Sequence, residues 1–101
     1  MIHMEPIEID GRLFTAVSVQ LPKTTLLTVS GEKGYIMCGA LDVHLLNTRL
    51  ADRKIVAGKA TGVRTIAELL NAPLAETTIE AEKQGVHRGM TGRDALICMH
   101  E

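Results

Sequence analysis

The first third of the chain alternates apolar and polar residues in short runs, each closed by residues typical of tight turns. Residues 12–21 are the clearest case, because Leu13, Val17 and Leu21 fall on one side of an extended strand. The dipeptide Asp10-Gly11, just before this run, predicts a two-residue hairpin turn. Short turns between successive strands predict an antiparallel meander. Its four strands are expected at residues 6–9, 12–21, 26–29 and 34–38.

The spacing of the apolar residues changes after Gly39, from the alternation of a strand to the spacing of a helix. They form two stripes separated by charged residues, whereas a helix with one buried face should show a single stripe. Either the two are one wide stripe with half-exposed edges, or the helix contacts both its own sheet and a partner subunit. Residues 54–60 then read as a fifth strand. A helix between strands four and five makes a crossover, so these two strands are expected to be parallel.

Clear start and stop signals divide the last third of the chain into helices. Thr65-Ile66-Ala67-Glu68 is a capping box, and it predicts a helix that Pro73 must end. Thr91-Gly92-Arg93-Asp94 resembles a second box, with the shorter aspartate in place of glutamate. Residues 74–84 are ambiguous, since they alternate like a strand while Pro73 and Gly85 suit the two ends of a helix. The helix is the preferred interpretation, and the strand remains open.

The composition indicates one aliphatic domain, residues 1–101, without a nucleic-acid or membrane signature. Eleven basic residues against twelve acidic ones give a net charge of −1, which argues against nucleic acid as a partner. No apolar run approaches the roughly 18–20 residues of a membrane span. The N-terminus has no long apolar segment of a secretory signal, and the two cysteines are 60 positions apart. A cytoplasmic location with reduced thiols is therefore expected.

Cys38 and Gly39 form the first candidate site, because they stand where the fourth strand gives way to a helix. A helix N-terminus favours the thiolate, the reactive form of cysteine, and attracts anions. Gly39 would let a ligand approach the backbone closely. Asp42, one turn into the helix, disfavours a thiolate and would serve better as a helix-dipole partner, a hydrogen-bond acceptor or a metal ligand. The alternative is that Cys38 is a small buried core residue, as Cys98 is also expected to be.

The loop at residues 58–65 is the second candidate site, because it joins a strand to a capped helix and carries glycines, cations and hydroxyls. Glycines let backbone N–H groups converge on an anion, and Lys59 and Arg64 would favour phosphate or carboxylate. The spacing matches neither a Walker A loop nor a dinucleotide fingerprint, so no nucleotide is predicted. The alternative is a tight structural loop with solvated cations. Together with Gly39, the candidate ligand-binding residues are Gly58, Lys59, Thr61, Gly62, Arg64 and Thr65.

If strands four and five are parallel neighbours, the two candidate sites open at the same edge of the sheet, where ligands of open α/β sheets tend to bind. The cysteines and four histidines show no CxxC, HxxH or HExxH spacing. Neither a metal site nor a cofactor is therefore predicted.

Three segments in order carry a family resemblance: KGYIMCGALDV at residues 33–43, DRKIVAGKATGVRTI at 52–66 and GMTGRDAL at 89–96. Together they resemble the YunC-like family of small bacterial and archaeal domains of unknown function, over about residues 7–99. The resemblance implies a two-layer α/β sandwich. This agrees with an α+β chain in which an N-terminal antiparallel meander precedes a β-α-β crossover and C-terminal helices. It implies no reaction and no catalytic residues.

Two hypotheses about function follow. The first is a homo-oligomeric binding or interaction module for a small anionic molecule or a protein partner, supported by the double-striped helix and the aliphatic composition. The second is a small thiol-dependent enzyme in which Cys38 reacts, with Asp42 beside it, and Lys59 and Arg64 hold an anionic substrate. No general base can be placed next to Cys38 from the sequence, so the first hypothesis is preferred.

Overall fold

The computed structural model describes residues 1–39, 47–48 and 51–100, in which six strands form one mixed sheet in chain order. The strands are β1 (Ile2–Ile9), β2 (Arg12–Leu21), β3 (Thr24–Ser30), β4 (Tyr35–Met37), β5 (Ala57–Lys59) and β6 (Glu76–Thr77). The described helices are a 3₁₀ turn at Ala51–Arg53, α1 (Ile66–Asn71), α2 (Ile79–Lys83) and α3 (Gly92–His100). The α+β class predicted from the sequence is confirmed.

Strands β1 to β4 form the predicted antiparallel meander. Asp10 and Gly11 both have positive φ, 52° and 77°, as expected of the hairpin turn whose twist matches its strands. Lys23 also has a positive φ, 67°, in the two-residue turn between β2 and β3. Strands β4 and β5 are parallel as predicted, with Met37 opposite Lys59. Strand β6 returns antiparallel to β5 at the far edge of the sheet.

One face of the sheet packs against the helices and forms the core. Its strand residues are Ile9, Phe14, Ala16, Leu27, Val29 and Ile36, all buried. Leu69 of α1 and Leu96 and Met99 of α3 complete this apolar interior. The core contains a single aromatic side chain among its buried members, which agrees with the aliphatic core expected from composition.

The opposite side of β1, β2 and β3, which we call the outer face, is also apolar. Val17 and Val19 of β2 are half-buried there, while their neighbours Phe14 and Ala16 point to the core. Directly opposed residues of paired strands share a face, so the register places the exposed β1 side chains beside these valines. The exposed large side chains of the outer face are Ile2, Met4, Leu13 and Leu21.

Hydroxyl groups fix the starts of the helices, as the sequence predicts. The Thr65 hydroxyl accepts a hydrogen bond from the Glu68 backbone N–H at 3.1 Å. The Glu68 carboxylate in turn accepts from the Arg64 N–H at 2.7 Å, one residue earlier than in a standard capping box. Helix α1 ends at Asn71, before Pro73. Before α3, the Thr91 hydroxyl accepts from the Asp94 N–H at 3.3 Å.

Residues 74–84 contain both of the structures that the sequence left open. A two-residue strand, β6, is followed at once by α2, whose N-cap is Thr78. The buried Thr78 hydroxyl accepts from the N–H groups of Ala57 at 3.1 Å and Ala81 at 3.2 Å, and it donates to the Ile55 carbonyl at 2.8 Å. This one side chain therefore ties α2 to the region of β5.

Gly92 allows α3 to start in direct contact with α1. A Cβ at this position would clash with the carbonyl oxygen of Leu69 and would lie 2.7 Å from Cδ1 of Ile36. Glycine is therefore needed here for close approach of two elements and not for an unusual φ.

The double apolar stripe predicted after Gly39 falls mainly on residues 40–46 and 49–50, which lie outside the described residues. The choice between a wide stripe and a helix shared with a partner therefore stays a prediction. Among the helices that the structure describes, none has the length and apolarity that a membrane crossing requires.

Candidate functional site

The parallel pairing of β4 and β5 brings the two predicted sites to one edge of the sheet. The Ala60 N–H donates to the Met37 carbonyl at 3.0 Å, just where both strands end. A Cβ built on Gly39 would lie 3.9 Å from Cγ2 of Thr61. The segment after β4 and the segment after β5 are therefore in contact. This neighbourhood is the one that the sequence predicts from a parallel β4–β5 pair.

Cys38 lies within the core at this edge, with only 6% of its surface exposed. Its Sγ accepts a hydrogen bond from the Leu27 N–H at 3.4 Å and lies 3.9 Å from the Thr25 carbonyl oxygen, to which the thiol donates. Its own N–H donates to the Leu27 carbonyl at 3.0 Å. The partners of the thiol in the described residues are thus backbone groups of β3. Asp42, proposed beside it, lies outside the described residues.

A cleft of about 570 Å³ opens next to this thiol, between the β2–β3 turn and the loop before α1. Thr25, whose carbonyl contacts Cys38, is part of its wall, so the buried thiol stands behind the cleft. The remaining wall comes from Gln20, Leu21, Lys23 and Thr24 of the hairpin and from Val63 and Arg64 of the loop.

The cleft presents two cations and several neutral hydrogen-bonding groups. Lys23 and Arg64 approach it from opposite walls, and no described carboxylate forms an ion pair with either side chain. Thr24 and Thr25 add hydroxyls, and Gln20 adds an amide. Cations and hydroxyls are the donors that recognise phosphate and carboxylate, with Arg able to bind two oxygens at once.

The other candidate ligand residues of the loop make contacts within the fold. Gly58 is buried in β5, where a Cβ would lie 2.8 Å from Cδ1 of Leu74. The Lys59 ammonium lies 3.8 Å from the Glu76 carboxylate, and its side chain is 19% exposed. Gly62 has a φ of 75° and forms a turn.

Two side-chain hydrogen bonds form at the start of α1. The Thr65 hydroxyl accepts a hydrogen bond from the Glu68 N–H, and the Glu68 carboxylate accepts one from the Arg64 N–H. Of the loop's two cations, Lys59 lies beside Glu76 and Arg64 lines the cleft, so Arg64 is the one placed to meet an anion there.

Six wall residues were not among the candidates from sequence: Gln20, Leu21, Lys23, Thr24, Thr25 and Val63. The sequence does predict a turn at Pro22-Lys23-Thr24, and a cation placed in a tight turn is the one local signal available. Its approach to Arg64 depends on how the β2–β3 hairpin and the loop before α1 pack together, which no local pattern encodes.

A smaller cavity of about 310 Å³ lies at the start of β4, where Tyr35 and Lys54 form part of the wall. Burial raises the pKa of Tyr35 above its ordinary value of 10.0. In the described residues, no group of three or more histidine, cysteine, aspartate or glutamate side chains is arranged to hold a metal ion.

Comparisons with known proteins agree on the family and on the fold. A family model described as "Domain of unknown function (DUF1805)" matches residues 37–99. The chain is 57% identical over 99 residues to the uncharacterized protein YunC of Bacillus subtilis (strain 168), covering 98% of each chain. A crystal structure of a protein of unknown function from Thermoplasma acidophilum superposes with a TM-score of 0.88 at 30% identity, covering 98% of this chain and 93% of that one.

Proposed function

This chain belongs to the DUF1805 family, whose function is unknown, and on that premise we propose that it is a homo-oligomeric module that binds a small anionic molecule in the cleft. The observation that carries the proposal is the pair formed by Lys23 and Arg64, which share one cleft without a carboxylate between them among the described residues. The whole chain has a net charge of −1, so this concentration of positive charge is local.

The size and lining of the cleft support a small charged ligand. Its volume of about 570 Å³ falls in the range of roughly 300–1,000 Å³ typical of small-molecule sites. Hydrogen bonds to charged groups contribute about 1.5–3 kcal/mol each, more than bonds between neutral groups. Two cations flanked by threonine hydroxyls therefore favour a phosphate or carboxylate over a neutral molecule of the same size.

The alternative, a thiol-dependent enzyme, has less support. Such an enzyme needs an accessible thiolate with a general base beside it. Cys38 is buried, and its described partners are backbone groups of Leu27 and Thr25. Its place behind the wall of the cleft suits a packing role better than attack on a bound substrate.

The binding proposal is tested with inorganic phosphate as the probe. Phosphate should raise the thermal midpoint of unfolding more than chloride at matched ionic strength, because a ligand of the folded state stabilises it. The double variant Lys23→Gln, Arg64→Gln should lose that extra rise, since it removes both cations and keeps side chains of similar length.

A matched control is Arg88→Gln with Arg93→Gln, which removes the same total charge from exposed positions outside the cleft. This control should keep the response to phosphate. Phosphate also stabilises proteins through exclusion from their surface. An undiminished response in the Lys23 and Arg64 variant would assign the whole effect to exclusion and remove the basis for the proposal.

A further inference from the structure

A second group of cations lines the smaller cavity, of about 310 Å³, at the start of β4. Its wall includes Lys33 from the β3–β4 turn, and Arg53 and Lys54 from the segment before β5. Glu32 is the one carboxylate among the described residues of this wall. No described carboxylate forms an ion pair with Arg53 or Lys54. Positive charge therefore exceeds negative charge around the cavity.

Close backbone contacts hold the two segments of this wall together. The Tyr35 N–H donates to the Val56 carbonyl at 3.1 Å, and the Gly31 N–H donates to the Gly34 carbonyl at 2.9 Å across the turn. A Cβ built on Gly34 would lie 2.6 Å from the Val56 carbonyl oxygen, so glycine permits this approach. The β3–β4 turn and the segment before β5 are thus fixed relative to each other by the fold.

The backbone of Lys54 has an unusual conformation for a lysine. Its φ is 52°, in the left-handed region that residues with a Cβ disfavour. Glycine or asparagine would adopt this conformation more readily, yet the chain has a lysine here. Backbone conformations of this kind cluster at binding and active sites, where the surrounding structure holds them in place. The choice of lysine supports a role for its ammonium group in binding.

Tyr35, Ile55 and Val56 give the same cavity an apolar part. Tyr35 and Ile55 pack against the buried Ala57, and Val56 itself is buried. Burial raises the pKa of the Tyr35 phenol above its ordinary value of 10.0. The hydroxyl therefore keeps its proton at neutral pH and can donate a hydrogen bond to an anion. A molecule in this cavity meets hydrocarbon as well as cations and a neutral donor.

This combination fits an organic carboxylate better than an inorganic anion. A guanidinium group such as that of Arg53 matches the two oxygens of a carboxylate with two parallel hydrogen bonds. The hydrocarbon of the same molecule covers the apolar wall, which phosphate cannot do. A volume of about 310 Å³ is at the lower end of the roughly 300–1,000 Å³ of small-molecule sites, so the carbon chain must be short.

We propose that this cavity binds a small aliphatic carboxylate, with its charged group between Arg53 and Lys54 and its carbon chain against Ile55 and Val56. The site is additional to the cleft of the proposed function. The cleft lies near the ends of β4 and β5, whereas this cavity lies near their starts. The two share no wall residue, so one can be disabled without changing the other.

Tyr35 is the chain's one tyrosine, so its ring signals in nuclear magnetic resonance report on this cavity directly. In protein with an isotope-labelled tyrosine ring, butanoate should shift these signals along a saturable curve at constant ionic strength. Acetate is shorter by two CH₂ groups, and burial of each such group strengthens binding about fourfold, so acetate should bind on the order of tenfold more weakly. Butan-1-ol keeps the carbon chain without the charge and should give no saturable shift.

Two pairs of substitutions separate this cavity from the cleft. Arg53→Gln with Lys54→Gln should weaken butanoate binding, read from the Tyr35 signals, by at least about tenfold. Lys23→Gln with Arg64→Gln, in the cleft, should leave the butanoate curve unchanged. Circular dichroism shows whether each variant is folded. The single change Lys54→Asn suits a positive φ and removes the ammonium group, so it should also weaken binding if the double variant fails to fold.

Several results would overturn this site. They are the absence of any saturable shift with butanoate, equal affinity for butanoate and acetate or for butanoate and butan-1-ol, and tighter binding of phosphate than of butanoate. An unchanged curve in a folded Arg53 and Lys54 variant would do the same. None of these results bears on the cleft, because the cleft is tested by the response of the thermal midpoint to phosphate in the Lys23 and Arg64 variant.

Discussion

Tyr35 is the chain's one tyrosine, and there is no tryptophan, so its ionisation can be followed directly by absorbance. Burial raises the pKa of its phenol above 10.0. We expect the absorbance titration of the folded protein to have its midpoint above that of the unfolded chain in denaturant. A folded midpoint equal to the unfolded one would contradict the burial of this phenol.

The same shift predicts how stability depends on pH. Below pH 10 the phenol is protonated in both states and contributes no pH dependence. As pH rises from 10 through the folded pKa, the unfolded state loses its proton first, so the free energy of unfolding falls. Tyr35→Phe cannot ionise, and its unfolding free energy should fall less over this interval than that of the natural chain.

Cys38 and Cys98 differ in exposure, and this predicts an order of chemical modification. Cys38 is buried, whereas Cys98 is partly exposed near the end of α3. Iodoacetamide should therefore modify Cys98 first, and Cys38 should react only as the protein opens. Mass spectrometry of the native protein over time measures both rates. If Cys38 reacted as fast in the native protein as in urea, its thiol would be accessible and the enzyme hypothesis would regain support.

At the scale of elements, Thr78 is the side chain that joins α2 to β5. Thr78→Val keeps the shape of the side chain but leaves the N–H groups of Ala57 and Ala81 without their acceptor. Each unsatisfied buried donor costs about 1–3 kcal/mol, so losing the acceptor of two donors should lower the free energy of unfolding by roughly 2–6 kcal/mol. Urea denaturation followed by circular dichroism measures it.

Thr65→Val is the matched comparison for Thr78, because Thr65 is also an N-cap but is exposed to water. Water can replace its hydroxyl, so the expected cost is only about 1 kcal/mol. Equal losses in the two variants would mean that burial of the Thr78 hydroxyl has no energetic consequence.

Elements with a local chemical cause could be predicted from the sequence. The turn at Asp10-Gly11, the cap at Thr65 and the stop before Pro73 depend on residues next to one another, and all three are confirmed. For residues 74–84 the sequence could not decide between strand and helix. A strand-like alternation of residue types overlaps there with the start and stop signals of a helix. The chain uses both, a two-residue strand and then a five-residue helix.

At the scale of the whole molecule, the α+β fold and the parallel β4–β5 pair could be predicted because one crossover determines the sheet order. The candidate site was predicted only in part. Arg64 borders the cleft and Cys38 stands behind it, but Lys23 comes from a hairpin distant in the chain. Which cations share the cleft depends on how the sheet and the helices pack together, a property of the whole molecule and not of any segment.

Leu21 belongs both to the outer face and to the wall of the cleft. If a contact between copies of the proposed homo-oligomer included Leu21, association and anion binding would involve the same residue. The total free energy of anion binding and association is the same whichever of the two happens first. The factor by which an anion strengthens association therefore equals the factor by which association strengthens anion binding. With such coupling, the anion concentration that half-fills the cleft would depend on the concentration of the protein itself.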